Sequence, residues 1–376
     1  MSTPQPEATR PAPTPVPLAR TYVAASAGGA AVGAAPALLA VAASHQAIQA
    51  ALRVSTVRAV LAVWNTLDFR DLSRWWFSGP SDRSMALVSM AQESVAAQAA
   101  DYVQAALALQ GIEIEAPSLV PDAFAGVASD GRDLDSLLLG AVVKAKEKIG
   151  CGGSQDEARA AGAEFLTRAI NTQVSDAGRA ADQVALVAAP TIPSQRRAPA
   201  RERRAISGTI ENTDGQRVNY GWVRMLQPPS CGRCAVLAGR FYKWSDGFLR
   251  HDNCDCRHIP VAENVAGDLT TDPKAYFDSL SREDQDKYFG VYNSRAIRAG
   301  GDISQIVNAT TRRGAVYTAD NGRRYTREGT TRRGFYGSRE KGKARVRRPT
   351  PQQIYRDARG DQAAAIRLLK EFGYIL

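Results

Sequence analysis

The chain has 376 residues, which is enough for two or three domains with hydrophobic cores of their own. Its composition, with 44% hydrophobic and 23% charged residues, is that of a soluble globular protein. The formal net charge of +10 favours an anionic partner such as nucleic acid, an acidic protein face or a membrane surface. A uniformly basic surface is excluded, because the whole excess of positive charge lies in one segment.

That basic segment runs from residue 312 to residue 348, where thirteen Lys and Arg residues stand against three acidic ones. The sequence TTRRG occurs at 310–314 and again at 330–334, with an Asn321-Gly322 turn signal between, which predicts two similar basic hairpins or loops. Arginines interleaved with tyrosines favour contact with phosphate or a partner, and the alternative is a solvated extension. The predicted contact residues are Arg312, Arg313, Arg323, Arg324, Arg332, Arg333, Arg347 and Arg348.

The N-terminal 34 residues are rich in proline and alanine, lack the layout of a secretory signal and are predicted to be a disordered arm. No formally charged residue lies between Arg20 and Arg53, so a membrane span has to be considered. The stretch is mostly alanine and glycine, and alanine gives little transfer free energy into a bilayer. We therefore expect no constitutive membrane span, and a buried Ala-rich helix instead.

Residues 35–189 have apolar residues at helical spacing and predict a helical domain. Within it, Trp64, Trp75 and Trp76 are expected to anchor the core of a helical bundle. A proline- and arginine-rich stretch, 190–205, predicts a linker. Residues 206–309 then form a Cys/His domain with following helices, 310–348 the basic repeat segment, and 349–376 a C-terminal helical hairpin. The fold class is mainly α, with a small α+β domain stapled by a metal ion.

The helices in the second half begin and end at readable capping signals. Ser281 with Asp284 resembles a capping box, and that helix is expected to close near Gly290. Three further helix starts and two further ends are predicted from Asp272-Pro273, Thr350-Pro351, Asp361, Gly360 and Gly373.

Four of the five cysteines and two of the three histidines lie between residues 231 and 260. Cys231-x-x-Cys234 is the spacing of a zinc knuckle, in which two thiolates on one tight turn both reach an ion at about 2.3 Å. The second half, His251-x-x-Cys254-x-Cys256-x-His258, offers more ligands than one tetrahedral site takes. We predict a structural zinc site formed by Cys231 and Cys234 with His251 and either Cys254 or Cys256, and His258 is then a spare residue.

Two other interpretations of the cysteine cluster stay open. The thiols are reduced or partly linked as disulfides inside a particle, or one of them is a nucleophile paired with a histidine. Four crowded thiols are more typical of ligands than of one activated nucleophile. No Gly-x-Ser-x-Gly, phosphate loop or His-Glu-x-x-His is present, and a Ser-His-Asp triad would have to use His251 or His258. The lone Cys151 requires no chemistry.

The segment PPSCGRCAVLAGRFY…FLRHDNCDCRHIPV resembles the MuF-like minor capsid, or head morphogenesis, proteins of tailed bacteriophages. Their mark is Cys-x-x-Cys followed by His-x-x-Cys-x-Cys and a proline. The stretches LAVWNTLDFRDLSRWW, EGTTRRG and RPTPQQIYRDARGDQAAAIRLLKEFGYIL are similar to the versions in phages of actinobacteria. The resemblance covers most of the chain from about residue 40 onward. The characteristic positions are Cys231, Cys234, His251, Cys254 and Cys256, and the extra His258 departs from the pattern.

The resemblance implies a low-copy virion component at the portal vertex or capsid interior, assembled in the host cytoplasm. Such a protein acts in head assembly and in DNA packaging or ejection. The expected partners are the portal protein, the major capsid or scaffold protein, and packaged DNA through the basic segment. Similar proteins are also labelled capsid maturation proteases, so the alternative is a protease with a Cys or Ser nucleophile. A DNA-binding module acting outside any particle is a third hypothesis, without a groove-entering motif to support it.

Overall fold

The computed structural model describes residues 34–189, 209–211, 215, 217–226, 228–243, 256–266, 269, 272–311, 314–331, 334, 336–338 and 347–375. These residues fall into two compact units, one within residues 24–270 and one within residues 271–376. Except for Ala34, the predicted arm lies outside the described residues, as does the predicted linker. The described part is mainly α-helical with two small sheets, which confirms the coarse fold class.

The first unit begins with a helical bundle. Its helices are α1 (Ala34–Trp64), α2 (Leu72–Phe77), α3 (Pro80–Ala96), α4 (Ala99–Ala108), α5 (Leu134–Leu138), α6 (Gly140–Gly150) and α7 (Gln155–Ala188), with a 3₁₀ turn at Pro121–Phe124. The long helix α7 packs against α1, α3, α4 and α6, so it is the centre of the bundle. It begins at a capping box in which Ser154 and Glu157 satisfy each other's backbone N–H groups.

Tryptophans anchor the bundle core, as predicted. Trp64 and Trp76 are fully buried, and Trp75 packs against them with ring centroids 5.7 and 5.9 Å away. The indole Nε1 of Trp64 donates a hydrogen bond to the carbonyl of Arg159 at 3.0 Å, which fixes the ring over α7. The ring lies so close to Gly162 that a Cβ there would meet it at 2.0 Å.

Helix α1 is long and apolar enough, by length and composition, to cross a membrane. In the unit it packs against α3, α4 and α7, with Leu38 and Val60 fully buried. A core helix of a globular unit meets the same length and hydropathy criterion, so the absence of a membrane span stays a prediction.

A four-stranded antiparallel sheet follows the bundle in the same unit. Its elements are β1 (Thr209–Glu211), β2 (Arg217–Met225), α8 (Gly232–Leu237), β3 (Phe241–Lys243), β4 (Arg257–Ala262) and α9 (Glu263–Ala266). Strand β2 is central and pairs with the other three strands. Residues 220–225 of β2 and all six residues of β4 are buried, and β4 contacts α1, α4 and α7. The sheet is therefore packed on the bundle through β4.

The second unit combines short helices with a three-stranded antiparallel sheet. Its elements are α10 (Pro273–Ser279), α11 (Arg282–Phe289), α12 (Val291–Arg298), α13 (Ile303–Thr311), β5 (Val316–Thr318), β6 (Arg324–Thr326), β7 (Arg348–Pro349), α14 (Pro351–Asp357) and α15 (Gln362–Glu371). The predicted caps are confirmed: Asp272, Ser281, Thr350 and Asp361 each accept a backbone N–H of the first turn of their helices. The predicted turn at Asn321-Gly322 joins β5 to β6.

The division of the chain differs from the predicted domain boundaries. The sheet of the Cys/His region belongs with the bundle because β4 packs on three of its helices. Helices α10–α13, predicted to belong to that region, pack instead with the C-terminal elements. The backbone N–H of Asp302, for example, donates to the carbonyl of Tyr374 at 2.7 Å. Burial of apolar surface between distant segments decides this grouping.

Gly162→Ala should lower the free energy of unfolding of the first unit by about 1–3 kcal/mol, because the added methyl would overlap the fixed Trp64 ring. Chemical denaturation followed by tryptophan fluorescence measures the change. The matched control is Gly150→Ala on α6, where a Cβ meets nothing within 4 Å, so stability should be kept or slightly raised. Equal stability of the two variants would contradict the proposed packing.

Candidate functional site

Cys231 and Cys234 lie at the start of α8, directly after the end of strand β2. Cys231 is the N-cap residue, and its Sγ accepts the backbone N–H of Cys234 at 3.5 Å. This hydrogen bond closes a tight turn with both sulfur-bearing residues on it, which is the local geometry that a Cys-x-x-Cys metal ligand pair needs. The backbone reaches the turn through a cis peptide bond between Pro228 and Pro229.

Cys256 stands just before strand β4. Met225, the last residue of β2, is paired with Arg257, the first residue of β4. Cys231 comes six positions after Met225, and Cys231, Cys234 and Cys256, all among the described residues, do not come together as a group that could hold a metal ion. A guanidinium N–H of Arg224 points at the Sγ of Cys234 from 3.7 Å.

The remaining predicted ligands, His251 and Cys254, lie outside the described residues. Within the described residues, no group of three or more His, Cys, Asp or Glu side chains could hold a metal ion. The donor chemistry of Cys231 and Cys234 fits zinc, and the completion of the site by the residues before Cys256 stays a prediction. His258, the spare residue, packs its ring against Trp222 at a centroid distance of 5.0 Å and is buried.

Strand β4 is anchored to the bundle by side chains of α4 and the turn after it. One edge of β4 pairs with β2, and the main-chain groups of residues 258, 260 and 262 face the other way. Tyr102 donates its hydroxyl to the carbonyl of His258 at 2.7 Å, and Gln110 bonds the carbonyl of Pro260 and the N–H of Ala262. Proline at 260 has no N–H, so that outward position needs no acceptor.

A buried polar network continues from β4 into the bundle. Arg257 donates to the side-chain oxygen of Gln49, whose nitrogen lies 2.8 Å from Nε2 of His45. The same Nε2 lies 3.1 Å from a carboxylate oxygen of Asp182, and the His45 ring stacks on Tyr102 at 3.9 Å. The network was not predicted from the sequence. The available signal was a pair of polar residues four apart, His45 and Gln49, in the Ala-rich first half of α1.

A cavity of about 400 Å³ opens between the bundle and His258. Its polar lining includes Gln92, Ser129, Gln173, Asp176, Arg179 and His258. The guanidinium of Arg179 pairs with Asp176 at 2.6 Å, and Gln173 accepts the backbone N–H of Ser129 at 2.6 Å. The cavity thus brings a hydroxyl, a carboxylate and an imidazole to one space, although Ser129 makes this bond with its backbone and not its side chain.

The predicted contact arginines of the basic segment lie in different environments. Arg312, Arg313, Arg332 and Arg333 lie outside the described residues. Arg323 pairs with Asp357 and Arg324 with Gln352, so both have a partner within the unit. Arg347 is exposed and stacks over the ring of Tyr325 at 5.7 Å.

Arg348 differs from the prediction for it, because it is a core residue. Its side chain is fully buried and donates to the carbonyls of Phe372 and Gly373 at 2.9 and 3.0 Å. The guanidinium lies 3.9 Å from the centroid of the Tyr374 ring. Burial lowers the pKa of Arg348, and the nearby Tyr374 acts against that shift. The side chain is used inside the unit and cannot contact an external partner.

No protein-family model matches the chain, and no curated protein or solved structure matches it. The arguments for function therefore come from the residues and their geometry. The cysteine turn, the packed strand β4 and the basic segment are the three features that any proposal has to explain.

Arg348→Ala should lower the free energy of unfolding of the second unit by about 3 kcal/mol or more, because it removes several charge-assisted hydrogen bonds and leaves buried carbonyls unsatisfied. Thermal denaturation of the full chain checks this. Arg347→Ala is the matched control and should change stability by no more than about 0.5 kcal/mol, since Arg347 is exposed. Similar losses in both variants would contradict the core role of Arg348.

Stability should fall at alkaline pH because burial, and secondarily the charge of Asp182, raises the pKa of Tyr102 well above 10. The folded chain keeps the phenolic proton where the unfolded chain releases it. The contribution of this group to the free energy of unfolding is therefore fully present below pH 10. Above pH 10 it falls by about 1.4 kcal/mol per pH unit for one such group. Tyr102→Phe should be less stable than the wild-type chain near pH 8, because it loses the hydrogen bond to His258. Above pH 10 its urea midpoint should fall less steeply with pH than the midpoint of the wild-type chain. An unchanged alkaline slope would contradict the prediction.

Proposed function

We propose that the chain is a minor head protein of a tailed bacteriophage, a virion structural component that acts at the portal or capsid interior. It would take part in head assembly and in DNA packaging or ejection. The proposal rests on the family resemblance of the Cys/His segment and on one geometric observation: the hydrogen bond from the Cys234 N–H to the Cys231 Sγ puts both cysteines on one tight turn.

That geometry favours a structural zinc ion in a non-catalytic protein. Cys231 and Cys234 would supply two thiolates, and two of His251, Cys254 and Cys256 would complete a tetrahedral set. The side chains of Cys234 and Cys256 are 2% and 1% exposed, which suits closed ligands better than a nucleophile that must meet a substrate. Such an ion would hold the α8 turn to the start of β4 and add its binding free energy to the folded state.

The proposed partners are the portal protein, the major capsid or scaffold protein, and packaged DNA. The location would be the capsid interior or portal vertex of the virion, after assembly in the host cytoplasm and without a constitutive membrane span. The basic segment supports a DNA contact, because its charge surplus equals the net charge of the whole chain.

The alternative is a capsid maturation protease, and the cavity beside His258 is the observation that favours it. His258, Asp176 and Ser129 all line this cavity. A serine mechanism would need the Ser129 hydroxyl, His258 as general base and Asp176 to orient it. Asp176, however, is engaged with Arg179, and the ring of His258 packs against Trp222.

Co-expression with the portal, scaffold and major capsid proteins of the same phage separates the two functions. We expect the chain to co-sediment with procapsids while the scaffold and capsid proteins keep their full mass. Trimmed products that disappear in Ser129→Ala would establish the protease. Absence of the chain from the particles would contradict both functions.

Native mass spectrometry should find one zinc ion per chain. Cys231→Ser/Cys234→Ser should lose it and unfold at a lower temperature, because half of the proposed ligands are removed. Cys151→Ser is the matched control, since Cys151 is an exposed free cysteine, and it should keep the metal. A wild-type chain that is folded, metal-free and indifferent to chelator would contradict the zinc site.

A further inference from the structure

A stack of tyrosines and arginines covers one face of the three-stranded sheet in the second unit. Tyr317 on β5 is paired in register with Tyr325 on β6, and their rings stack at a centroid distance of 5.8 Å. Successive side chains alternate between faces of a strand, so Arg323 and Arg327 share the face of Tyr325. Arg347, two residues before the partner of Tyr325 on β7, lies over the same ring.

Two of these arginines lie over the rings of the stack. The guanidinium of Arg327 lies 5.3 Å from the centroid of Tyr317, and that of Arg347 lies 5.7 Å from the centroid of Tyr325. Both residues are exposed, and neither forms an ion pair with a carboxylate in the described part of the chain. The adjacent Glu328 is instead close enough to Arg348 to act on its charge.

The other described arginines of this region have partners. Arg323 donates to the hydroxyl of Tyr325 and pairs with Asp357, while Arg324 bonds Gln352. Arg348 is fully buried. Within residues 314–331 and 347–349, Arg327 and Arg347 are therefore the guanidinium groups whose N–H donors face solvent without an internal acceptor.

We propose that Arg327 and Arg347 form a phosphate-binding pair, held in place by the Tyr317/Tyr325 stack, that grips the backbone of nucleic acid. This inference deepens the proposed DNA contact and rests on it. A guanidinium held over an aromatic ring keeps N–H donors free and loses less entropy than an unsupported one when it binds a phosphate in bidentate fashion. The thirteen Lys and Arg residues between 312 and 348 favour a polyanion over an acidic protein.

The stack also determines which part of a nucleic acid the Arg327/Arg347 pair binds. The two rings pack against each other, Arg327 and Arg347 lie 5.3 and 5.7 Å from their centroids, and Tyr325 is buried, which leaves little open ring face for a base. Proteins that grip single strands by base stacking need such an open face. The pair should therefore bind phosphate groups without base preference, and duplex DNA should bind at least as well as a single strand of the same length.

The test measures the affinity of the full chain for fluorescently labelled DNA of about 30 nucleotides, as duplex and as single strand, between about 50 and 200 mM salt. Arg327→Gln/Arg347→Gln should reduce the slope of log affinity against log salt by about 1.8 for duplex, since each lost phosphate contact removes about 0.9. The thermal midpoint should be unchanged because both residues are exposed. Arg58→Gln/Arg83→Gln is the matched control: it removes two exposed charges from the first unit and should keep the slope.

A second pair of variants tests the stack without changing charge. Tyr317→Ala should weaken duplex binding, because Arg327 loses the ring that holds it, whereas Tyr317→Phe should bind like wild type. Tight single-strand binding that Tyr317→Ala abolishes would indicate base stacking and overturn the inference.

The remaining outcomes separate this inference from the proposed function. Wild-type DNA binding with an unchanged slope in Arg327→Gln/Arg347→Gln would overturn the pair while the DNA contact stands. No DNA binding by the wild-type chain would overturn both the phosphate-binding pair and the proposed DNA contact. Loss of scaffold or portal binding in the same variant, with DNA binding kept, would assign this face to a protein partner and also overturn the inference.

Discussion

The outward edge of strand β4 has to find hydrogen-bond partners inside the protein, and the rest of the first unit depends on how it does so. A buried carbonyl or N–H without a partner costs about 1–3 kcal/mol. Tyr102 and Gln110 supply partners for the carbonyls of His258 and Pro260 and the N–H of Ala262. Because β2 occupies the opposite edge, β4 is held between the sheet and the bundle, and Cys256 is fixed at its start.

The buried charge at the centre of this interface also needs partners inside the protein. Asp182 is 1% exposed, and a buried carboxylate is tolerated only when hydrogen bonds and opposite charge surround it. Nε2 of His45 lies 3.1 Å from a carboxylate oxygen of Asp182. Arg257 donates to the side-chain oxygen of Gln49, which lies beside His45. The network joins α1, α7 and β4, three segments distant in sequence. It therefore favours one arrangement of sheet on bundle, which apolar packing alone would specify less sharply.

The second unit uses arginine in two opposite ways. Arg348 is withdrawn from water and bound by carbonyls and Tyr374, so it contributes to the fold of this unit. Arg327 and Arg347 lie over tyrosine rings and are exposed to solvent. Adjacent residues in one basic run thus have unrelated roles. In the proposed head protein, the same run would both build a small sheet and present charge to packaged DNA.

The sequence by itself determined the local features. Helix starts at Ser281, Thr350 and Asp361, the turn at Asn321-Gly322 and the tryptophan core of the bundle all follow from side chains acting on nearby backbone or from apolar periodicity. The Cys231/Cys234 turn is equally local, because the two cysteines are three residues apart. What only the tertiary structure decided are the pairings between distant segments: the grouping of α10–α13 with the C-terminus, the burial of Arg348 and the His45–Asp182 contact. These depend on which surfaces exclude water together, and neither a charge nor a spacing in the sequence encodes that.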